Sequence, residues 1–293
     1  MKEDVHITLI QSDLHWENPP ANLKMFSEKI ELIHEPVDLI LLPEMFSTGF
    51  SMSPEKFAET MEGNAINWMK ETAQKKKCVI CGSLMIKSTA PSEMTGRNPF
   101  FNRLIWMRAD GSFEIYDKRH LFGLGEEQNH YSAGYQKLLV ELKGWKILPL
   151  VCYDLRFPVW SRNRFIRTLK ENETSSILNN EDEKNLYGGD AYYDILIYVA
   201  SWPERRIHAW KTLLEARAIE NQCYVLGVNR VGTDGNDFYY PGESAVVDPR
   251  GEIIWRADNT ECVHSCTLSF YHLNHIRGSL PFLKDADDFE FKV

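Results

Sequence analysis

Short apolar runs alternate along the chain with stretches in which apolar residues recur at helical spacing. The runs at 39–42 and 194–200 hold few polar residues, which is typical of strands buried on both faces. Residues 23–33 and 207–222 carry apolar side chains three or four positions apart, which predicts amphipathic helices. The other predicted elements are a helix around 65–69 and strands at 5–10, 78–86, 100–108, 113–117, 223–229 and 261–269. This order predicts an α/β protein in which helices layer on sheets.

Three apolar runs, at 39–42, 113–117 and 148–151, are closely followed by a residue that can do chemistry, namely Glu44, Lys118 and Cys152. Residues at strand ends are held by a rigid sheet and are still open to a cleft. A thiol needs a base to become a nucleophile, and an acyl-transfer site needs positive charge where the oxyanion develops. The three residues therefore form a candidate catalytic set with Cys152 as nucleophile. For Cys152 alone, the simpler interpretation is a small buried apolar residue.

The blocks around these residues resemble the signature of the nitrilase, or carbon-nitrogen hydrolase, superfamily. They read Leu-Leu-Pro-Glu44, Tyr-Asp-Lys118-Arg-His-Leu-Phe and Val-Cys152-Tyr-Asp-Leu-Arg-Phe-Pro. Residues 43–50 and 152–163 are closer still to the omega-amidase branch, and the resemblance covers nearly the whole chain. It implies an α/β fold of the nitrilase type, a four-layer α-β-β-α sandwich built as a single domain from residues 1–293. It also implies a homodimer that pairs through the helical layer.

The resemblance implies a mechanism as well. Glu44 would take the thiol proton of Cys152, and the thiolate would attack the carbonyl carbon of a terminal amide. Lys118 and the backbone N–H of Tyr153 would stabilise the oxyanion, and the resulting thioester would be hydrolysed. The omega-amidase branch acts on α-keto acid amides such as 2-oxoglutaramate and 2-oxosuccinamate, with no metal and no organic cofactor. A small-molecule amide is therefore the expected substrate.

A second glutamate is expected in the polar stretch that follows Lys118. Members of the family carry it seven residues before a glycine that corresponds to Gly134, where it helps to orient the lysine. This spacing favours Glu127, and its neighbour Glu126 is the competing candidate. Either residue could instead be a solvated loop carboxylate.

Further residues beside these blocks are candidates for the substrate pocket, namely Phe46, Phe50, Tyr131, Arg156, Ser201 and Trp202. Core packing is an equally good interpretation of the two phenylalanines. Arg156, with Asp154, could instead brace the turn that carries the nucleophile. The planar guanidinium of Arg156 nevertheless suits a substrate carboxylate.

The chain departs from the family pattern at residues 165–191, because close relatives pass almost directly into the strand at 194–200. This insertion is polar and acidic and contains Gly188-Gly189, so we expect a solvated and partly disordered excursion. A substrate-gating lid and a subunit contact are the alternatives. The C-terminal tail, residues 280–293, is expected to pack on a partner subunit as in the family.

Composition excludes several classes of partner. The chain has 33 Lys and Arg against 42 Asp and Glu, a net charge of -9, and shows no basic stripe. Nucleic acid and acidic membranes are therefore not expected as partners. Apolar runs of about 5 to 8 residues are far shorter than a membrane span, and no signal-peptide core precedes the first strand. We expect a soluble cytoplasmic enzyme.

Two cysteine spacings suggest other chemistry. Cys78 and Cys81 imitate a redox or zinc pair, but they lie in an apolar run that predicts a strand, where such side chains face opposite ways. Cys262, His264 and Cys266 would share one strand face, but a fourth ligand with suitable spacing is missing. No metal is expected, although a zinc protein remains an alternative.

Other functions also remain open at this level. A nitrilase, an N-carbamoyl amidohydrolase or a deaminated-glutathione amidase would use the same triad. A non-catalytic binding protein, with the acidic insertion as its interaction segment, is the alternative from another class.

Overall fold

Two mixed six-stranded sheets face each other, and helices cover the outer side of each sheet. This arrangement is the four-layer α-β-β-α sandwich predicted from the sequence, so that prediction is confirmed. The computed structural model describes residues 2–88, 99–169, 187–287 and 289–290.

The structure contains strands and α-helices that are numbered here along the chain. The strands are given first. They are β1 (Val5–Gln11), β2 (Leu39–Leu41), β3 (Val79–Lys87), β4 (Phe100–Met107), β5 (Phe113–Asp117), β6 (Val140–Leu142), β7 (Trp145–Val151), β8 (Phe165–Leu169), β9 (Tyr187–Ala191), β10 (Ile195–Ala200), β11 (Tyr224–Asn229), β12 (Val231–Thr233), β13 (Tyr239–Pro241), β14 (Ala245–Val247), β15 (Ile253–Arg256) and β16 (Cys262–Leu268). The α-helices are α1 (Pro19–Glu31), α2 (Pro54–Phe57), α3 (Asn64–Lys76), α4 (Glu127–His130), α5 (Pro158–Ser161), α6 (Ile207–Asn221) and α7 (Phe270–Ser279).

The two sheets have matching layouts. The first has the order β16-β1-β2-β3-β4-β5 and the second the order β15-β14-β11-β10-β7-β6. In each sheet three neighbouring strands run parallel, β1-β2-β3 in one and β11-β10-β7 in the other. The carboxyl ends of β2 and β10 meet at one edge of the sandwich, where the Glu44 N–H lies 3.4 Å from the Ala200 carbonyl.

Apolar side chains fill the core between the sheets and the cores under the helices. Leu41 and Trp106 belong to the core between the sheets, whereas Ile40 and Met107 pack under α1 and α3. On the second sheet, Gly227 lies against Trp210 and Leu214 of α6. Both faces of the central strands are thus buried, which explains why their sequences lack alternation. Helix α1 begins at Pro19, where the Asn18 side chain accepts from the Ala21 N–H and proline occupies the first turn.

The insertion contains structure that the sequence did not predict. Strand β8 pairs antiparallel with β9, so the two ends of the insertion form a ribbon that the sequence analysis did not identify. The rest of the insertion, residues 170–186, lies outside the described residues. The ribbon joins the amino end of β10, where Lys146 pairs with Asp190 at 2.9 Å. Strand β10 has six residues and is about 20 Å long, and the polar residues Ser201 and Trp202 follow its other end. The base of the ribbon therefore lies about one strand length from those residues.

The suggestive cysteines are packed as the strand interpretation requires. Cys81 belongs to the core between the sheets and Cys78 to the core under the helices. On β16, His264 stacks on Trp255 with a centroid distance of 3.9 Å, at the edge where β15 and β16 face each other. In the described ranges, no group of three His, Cys, Asp or Glu side chains is arranged to hold a metal ion. Among the helices described, none has the length and apolar character of a membrane span.

Candidate active site

Glu44 lies in the tight turn that follows β2, and its side chain is fully buried. Its Oε1 accepts hydrogen bonds from Lys118 Nζ at 2.9 Å and from Asn102 Nδ2 at 2.8 Å. Its Oε2 accepts from the Ser201 N–H at 2.9 Å. The turn itself is held by Met45, whose φ is 44° and whose N–H donates to Ser83 Oγ at 2.9 Å. These contacts fix the carboxylate as a rigid, dry acceptor.

Lys118 follows β5 and is buried between two carboxylates. Its Nζ lies 2.9 Å from an oxygen of Glu44 and 2.9 Å from Oε2 of Glu127. Burial by itself would lower the pKa of the lysine, but Glu127 and Glu44 together raise it above its usual value. The lysine therefore remains a cation, which the oxyanion-stabilising role predicted from the sequence requires.

Glu127 begins α4 and is the second glutamate of this cluster. Its Oε2 accepts from the Phe122 N–H at 2.6 Å, and its Oε1 lies 3.2 Å from Asn102 Nδ2. Burial raises the pKa of this carboxyl; Lys118 opposes that effect and Glu44 adds to it. Glu126, in contrast, is exposed. The structure thus brings Glu127 to the lysine and leaves Glu126 in solvent.

Cys152 stands at the junction of β7 and a 3₁₀ turn, Cys152–Arg156. Its φ of 43° is a conformation that costs a non-glycine residue about 1 to 3 kcal/mol. Its Sγ lies 3.9 Å from the Ser201 carbonyl oxygen. Burial raises the pKa of the thiol well above its usual value, Glu44 raises it further, and Lys118 acts in the opposite direction. The resting thiol is therefore protonated, so the nucleophilic role predicted from the sequence requires a base.

Asp154 holds the nucleophile's turn in this conformation. Its Oδ2 accepts from the Val151 N–H at 3.1 Å and from Tyr116 OH at 2.7 Å. Its Oδ1 accepts from the His120 N–H at 3.0 Å and contacts His120 Nδ1 at 2.7 Å. The carboxylate thereby ties the loop after Lys118 to the turn of Cys152, which is the supporting role that the sequence suggested.

A cavity of about 180 Å³ opens onto the thiol. Its wall is formed by residues from five loops: Phe50, Met52, Lys118, Phe122, Leu124, Gly125, Cys152, Tyr153, Arg156, Ser201, Trp202, Pro203, Arg206, Asp234, Asn236, Phe238 and Tyr240. Four of the six predicted pocket residues are among them, namely Phe50, Arg156, Ser201 and Trp202. Lys118 Nζ lies 5.0 Å from the centre of the Phe50 ring, and Arg156 lies over Trp202 at 5.0 Å.

The other two predicted pocket residues do not line the cavity. Phe46 is fully buried under the helices, with its ring 5.6 Å from Phe26 and 5.7 Å from Trp68. Tyr131 is also buried, and its hydroxyl donates to the Ser51 carbonyl at 2.7 Å. Both pocket predictions are corrected. The Phe46 ring packs on other aromatic rings and the Tyr131 hydroxyl is bonded to backbone, so both side chains lie behind the residues that line the cavity.

Some residues of the site were missed by the sequence analysis. Asn102 donates to both glutamates. Its signal in the sequence was an amide that, apart from Arg103, stands in an apolar strand, because a buried amide requires hydrogen-bond partners. The cavity wall also includes five residues to which no sequence pattern pointed, namely Arg206, Asp234, Asn236, Phe238 and Tyr240. Phe122 ends the block around Lys118 but was not singled out as a pocket residue.

The family model for carbon-nitrogen hydrolases matches residues 6–269. The chain belongs to the carbon-nitrogen hydrolase family. It is thus a hydrolase that acts on carbon-nitrogen bonds, and the resemblance noted in the sequence is confirmed.

Relatives and a solved structure agree with this membership over almost the whole chain. The omega-amidase YafV of Escherichia coli strain K12 is 42% identical over 285 residues, 97% of each chain. The 2-oxoglutaramate amidase of Bacillus subtilis strain 168 is 28% identical, over 95% of this chain and 96% of that protein. The crystal structure of XC1258 from Xanthomonas campestris, a CN-hydrolase superfamily protein with an arsenic adduct in its active site, is 39% identical. It superposes with a TM-score of 0.87 and covers 99% of this chain and 100% of that one.

Proposed function

We propose that this carbon-nitrogen hydrolase is an omega-amidase. It converts the terminal amide of small α-keto acid amides, 2-oxoglutaramate and 2-oxosuccinamate, to the dicarboxylic keto acid and ammonia. The observation that carries the proposal is the buried set of Glu44, Lys118 and Cys152 at the end of a small cavity. The likeness to relatives named omega-amidase and 2-oxoglutaramate amidase supports the substrate class.

The first half of the reaction forms a thioester. Glu44 accepts the thiol proton of Cys152 while the sulfur attacks the amide carbon, because the thiol is protonated at rest. The carbonyl oxygen becomes an oxyanion, which Lys118 Nζ and the Tyr153 N–H stabilise; one such donor is worth about 2.7 to 4 kcal/mol. The carbon-nitrogen bond then breaks, and Glu44 returns the proton to the departing ammonia.

The second half hydrolyses the thioester. Glu44 takes a proton from water, the hydroxyl oxygen attacks the thioester carbon, and the same two donors stabilise the second oxyanion. The carbon-sulfur bond breaks, the carboxylic acid leaves, and Cys152 recovers its proton. Each turnover thus consumes one amide and one water and yields one acid and one ammonia.

Glu127 acts as a positioning residue in this scheme. Both of its oxygens are engaged by Lys118, and Oε2 also accepts from the Phe122 N–H. Glu44, in contrast, is the glutamate whose charge acts directly on the thiol of Cys152 and raises its pKa. Glu44 is therefore the better base, and Glu127 keeps the lysine charged and in place.

We also propose that the enzyme is a cytoplasmic homodimer. All six cysteines are free, which suits a reducing compartment. Large apolar side chains are exposed on the second helical layer and just after it, namely Ile219, Tyr271 and Phe282. Sedimentation at micromolar concentration should give the mass of two chains, and a pure monomer would contradict the dimer.

The function is tested by ammonia release from 2-oxoglutaramate, 2-oxosuccinamate, glutamine, a simple nitrile and an N-carbamoyl amine, with Cys152→Ala as the blank. We expect rapid turnover of the two keto acid amides only, and none in the blank. If the nitrile or the N-carbamoyl amine were turned over faster than the two keto acid amides, the proposed substrate class would be wrong. Activity that survives in the blank would reject the nucleophile.

A further inference from the structure

Two arginines in the cavity wall have no role in the reaction scheme. The guanidinium of Arg206 lies over the Phe122 ring at 4.7 Å, and that of Arg156 lies over the Trp202 ring at 5.0 Å. Trp202 Nε1 also donates to the Arg206 carbonyl at 2.8 Å, which anchors the backbone of that arginine. A guanidinium packed by its face on a ring keeps its in-plane N–H donors available for a ligand. Both side chains thus line the same cavity as the thiol, and within the described residues neither guanidinium donates a hydrogen bond.

No acidic side chain of the described ranges forms an ion pair with either guanidinium. Asp234 is the acidic residue of the cavity wall, and its carboxylate is already engaged. Its Oδ1 accepts from the N–H groups of Asn236 at 2.8 Å and Phe238 at 3.0 Å, and its Oδ2 accepts from Tyr240 OH at 2.8 Å. The cavity therefore carries an excess of positive charge next to the nucleophile.

The surroundings of Arg206 disfavour its positive charge, so a bound anion would stabilise the charged form. Burial lowers the pKa of Arg206, and the neighbouring charge of Arg156 lowers it further, whereas the sulfur of Cys152 acts in the opposite direction. A carboxylate would stabilise such a half-buried cation beside a second cation. It can accept two parallel hydrogen bonds from the guanidinium, and its negative charge offsets the two positive charges.

We infer that Arg206 binds the carboxylate of the substrate, with Arg156 adding positive charge beside it. This inference rests on the proposed function and defines its selectivity. The preferred substrates are monoamides of short dicarboxylic acids that carry an anionic end and no cation. The same pair of arginines repels the α-ammonium group of glutamine, so the site selects 2-oxo acids over 2-amino acids of equal length.

Steady-state kinetics of Arg206→Gln test the inference, with 2-oxoglutaramate compared to pentanamide, an uncharged amide of the same length. Loss of a bidentate charged contact should lower kcat/KM for 2-oxoglutaramate about 100-fold, mostly through KM. Pentanamide should change less than about threefold, since it makes no such contact. Arg206→Lys keeps the charge but loses the planar fork, so it should lie between the two. Arg205→Gln is the matched control, because Arg205 is exposed and does not line the cavity.

A binding measurement separates this inference from the proposed function. In a Cys152→Ala background, calorimetry with 2-oxoglutarate, the expected product, should show binding that Arg206→Gln weakens about 100-fold and Arg205→Gln leaves intact. Unchanged binding in the Arg206 variant, or equal loss of activity on both amides, would overturn the role of Arg206. If the unmodified enzyme hydrolyses no 2-oxo acid amide, the proposed function fails instead, and the calorimetry still decides whether Arg206 holds a carboxylate.

Discussion

Ser201 and Glu44 are joined by two hydrogen bonds across the sandwich. The Ser201 N–H donates to Glu44 Oε2 at 2.9 Å, and the Ser201 hydroxyl donates to the Glu44 carbonyl at 3.3 Å. Ser201 follows β10 of the second sheet, and Glu44 follows β2 of the first. Because the Ser201 carbonyl also contacts Cys152 Sγ at 3.9 Å, one residue sets the distance between base and nucleophile. The packing of the two sheets thus fixes the spacing between Glu44 and Cys152.

The charge of Glu44 has opposite effects on reactivity and on thiolate formation. Glu44→Gln removes the base, so amide hydrolysis should fall by about 100-fold to 10,000-fold. The same change should lower the pKa of Cys152, because Glu44 raises this pKa and Lys118 lowers it. The thiolate should therefore form at lower pH in the variant than in the unmodified enzyme. Ultraviolet thiolate absorbance across a pH titration measures this shift.

Cys152→Ala supplies the baseline for that titration, since it removes one thiol and leaves the other five cysteines in place. Thiolate formation at higher pH in Glu44→Gln would contradict the electrostatic account. An unchanged rate of amide hydrolysis would contradict the assignment of the base.

The two adjacent glutamates form a natural matched pair. Glu127→Gln weakens the hold on Lys118 and should lower kcat about 100-fold, because the lysine then loses one of its two anionic partners. Glu126→Gln changes an exposed side chain and should leave kcat within about twofold. The measurement is kcat with 2-oxoglutaramate for both variants. The reverse order of effects would return the role to Glu126.

The sequence predicted most of the sheet framework and the residues that meet at the candidate site. Uninterrupted apolar runs identify β2, β7 and β10 because both faces of these strands are buried. Glu44 and Cys152 could be found because each follows such a run directly. Their partner Asn102 could not be assigned, since its role depends on distances between side chains of separate elements.

Loop residues were harder to place. Phe46 and Phe50 are four positions apart in one loop, yet Phe46 packs under the helices and Phe50 faces the cavity. Gly49, whose φ is 78°, lies between the two phenylalanines and bends the chain there, but the sequence does not show which way each ring points. The β8-β9 ribbon was missed for a related reason, because Gly188 and Gly189 weaken a strand pattern whose pairing is long-range.

Asp154 should be essential for both the shape of the nucleophile's turn and stability. Asp154→Asn replaces an acceptor of four hydrogen bonds by an amide whose NH₂ group faces donors. We expect the free energy of unfolding to fall by about 2 to 4 kcal/mol and kcat by roughly 10-fold, since the positive φ of Cys152 loses its support. Urea unfolding and steady-state kinetics measure the two effects.

Asp237→Asn is the control for this change. Asp237 is exposed and has a φ of 60°, which asparagine tolerates, so neither stability nor kcat should move measurably. If Asp154→Asn behaved like this control, the carboxylate would not be the support of the turn.

Gly134 should tolerate no side chain, because its backbone lies against the residue that precedes Lys118. A Cβ at this position would lie 2.1 Å from the Asp117 carbonyl oxygen, and the Gly134 N–H donates to the Lys118 carbonyl at 2.9 Å. Gly134→Ala should therefore lower the free energy of unfolding by about 3 kcal/mol and reduce kcat as Lys118 shifts. Gly278→Ala, in α7 with open space around it, should instead raise stability by about 0.5 to 1 kcal/mol. Urea unfolding of both variants decides, and equal stability of the two would contradict the close approach at Gly134.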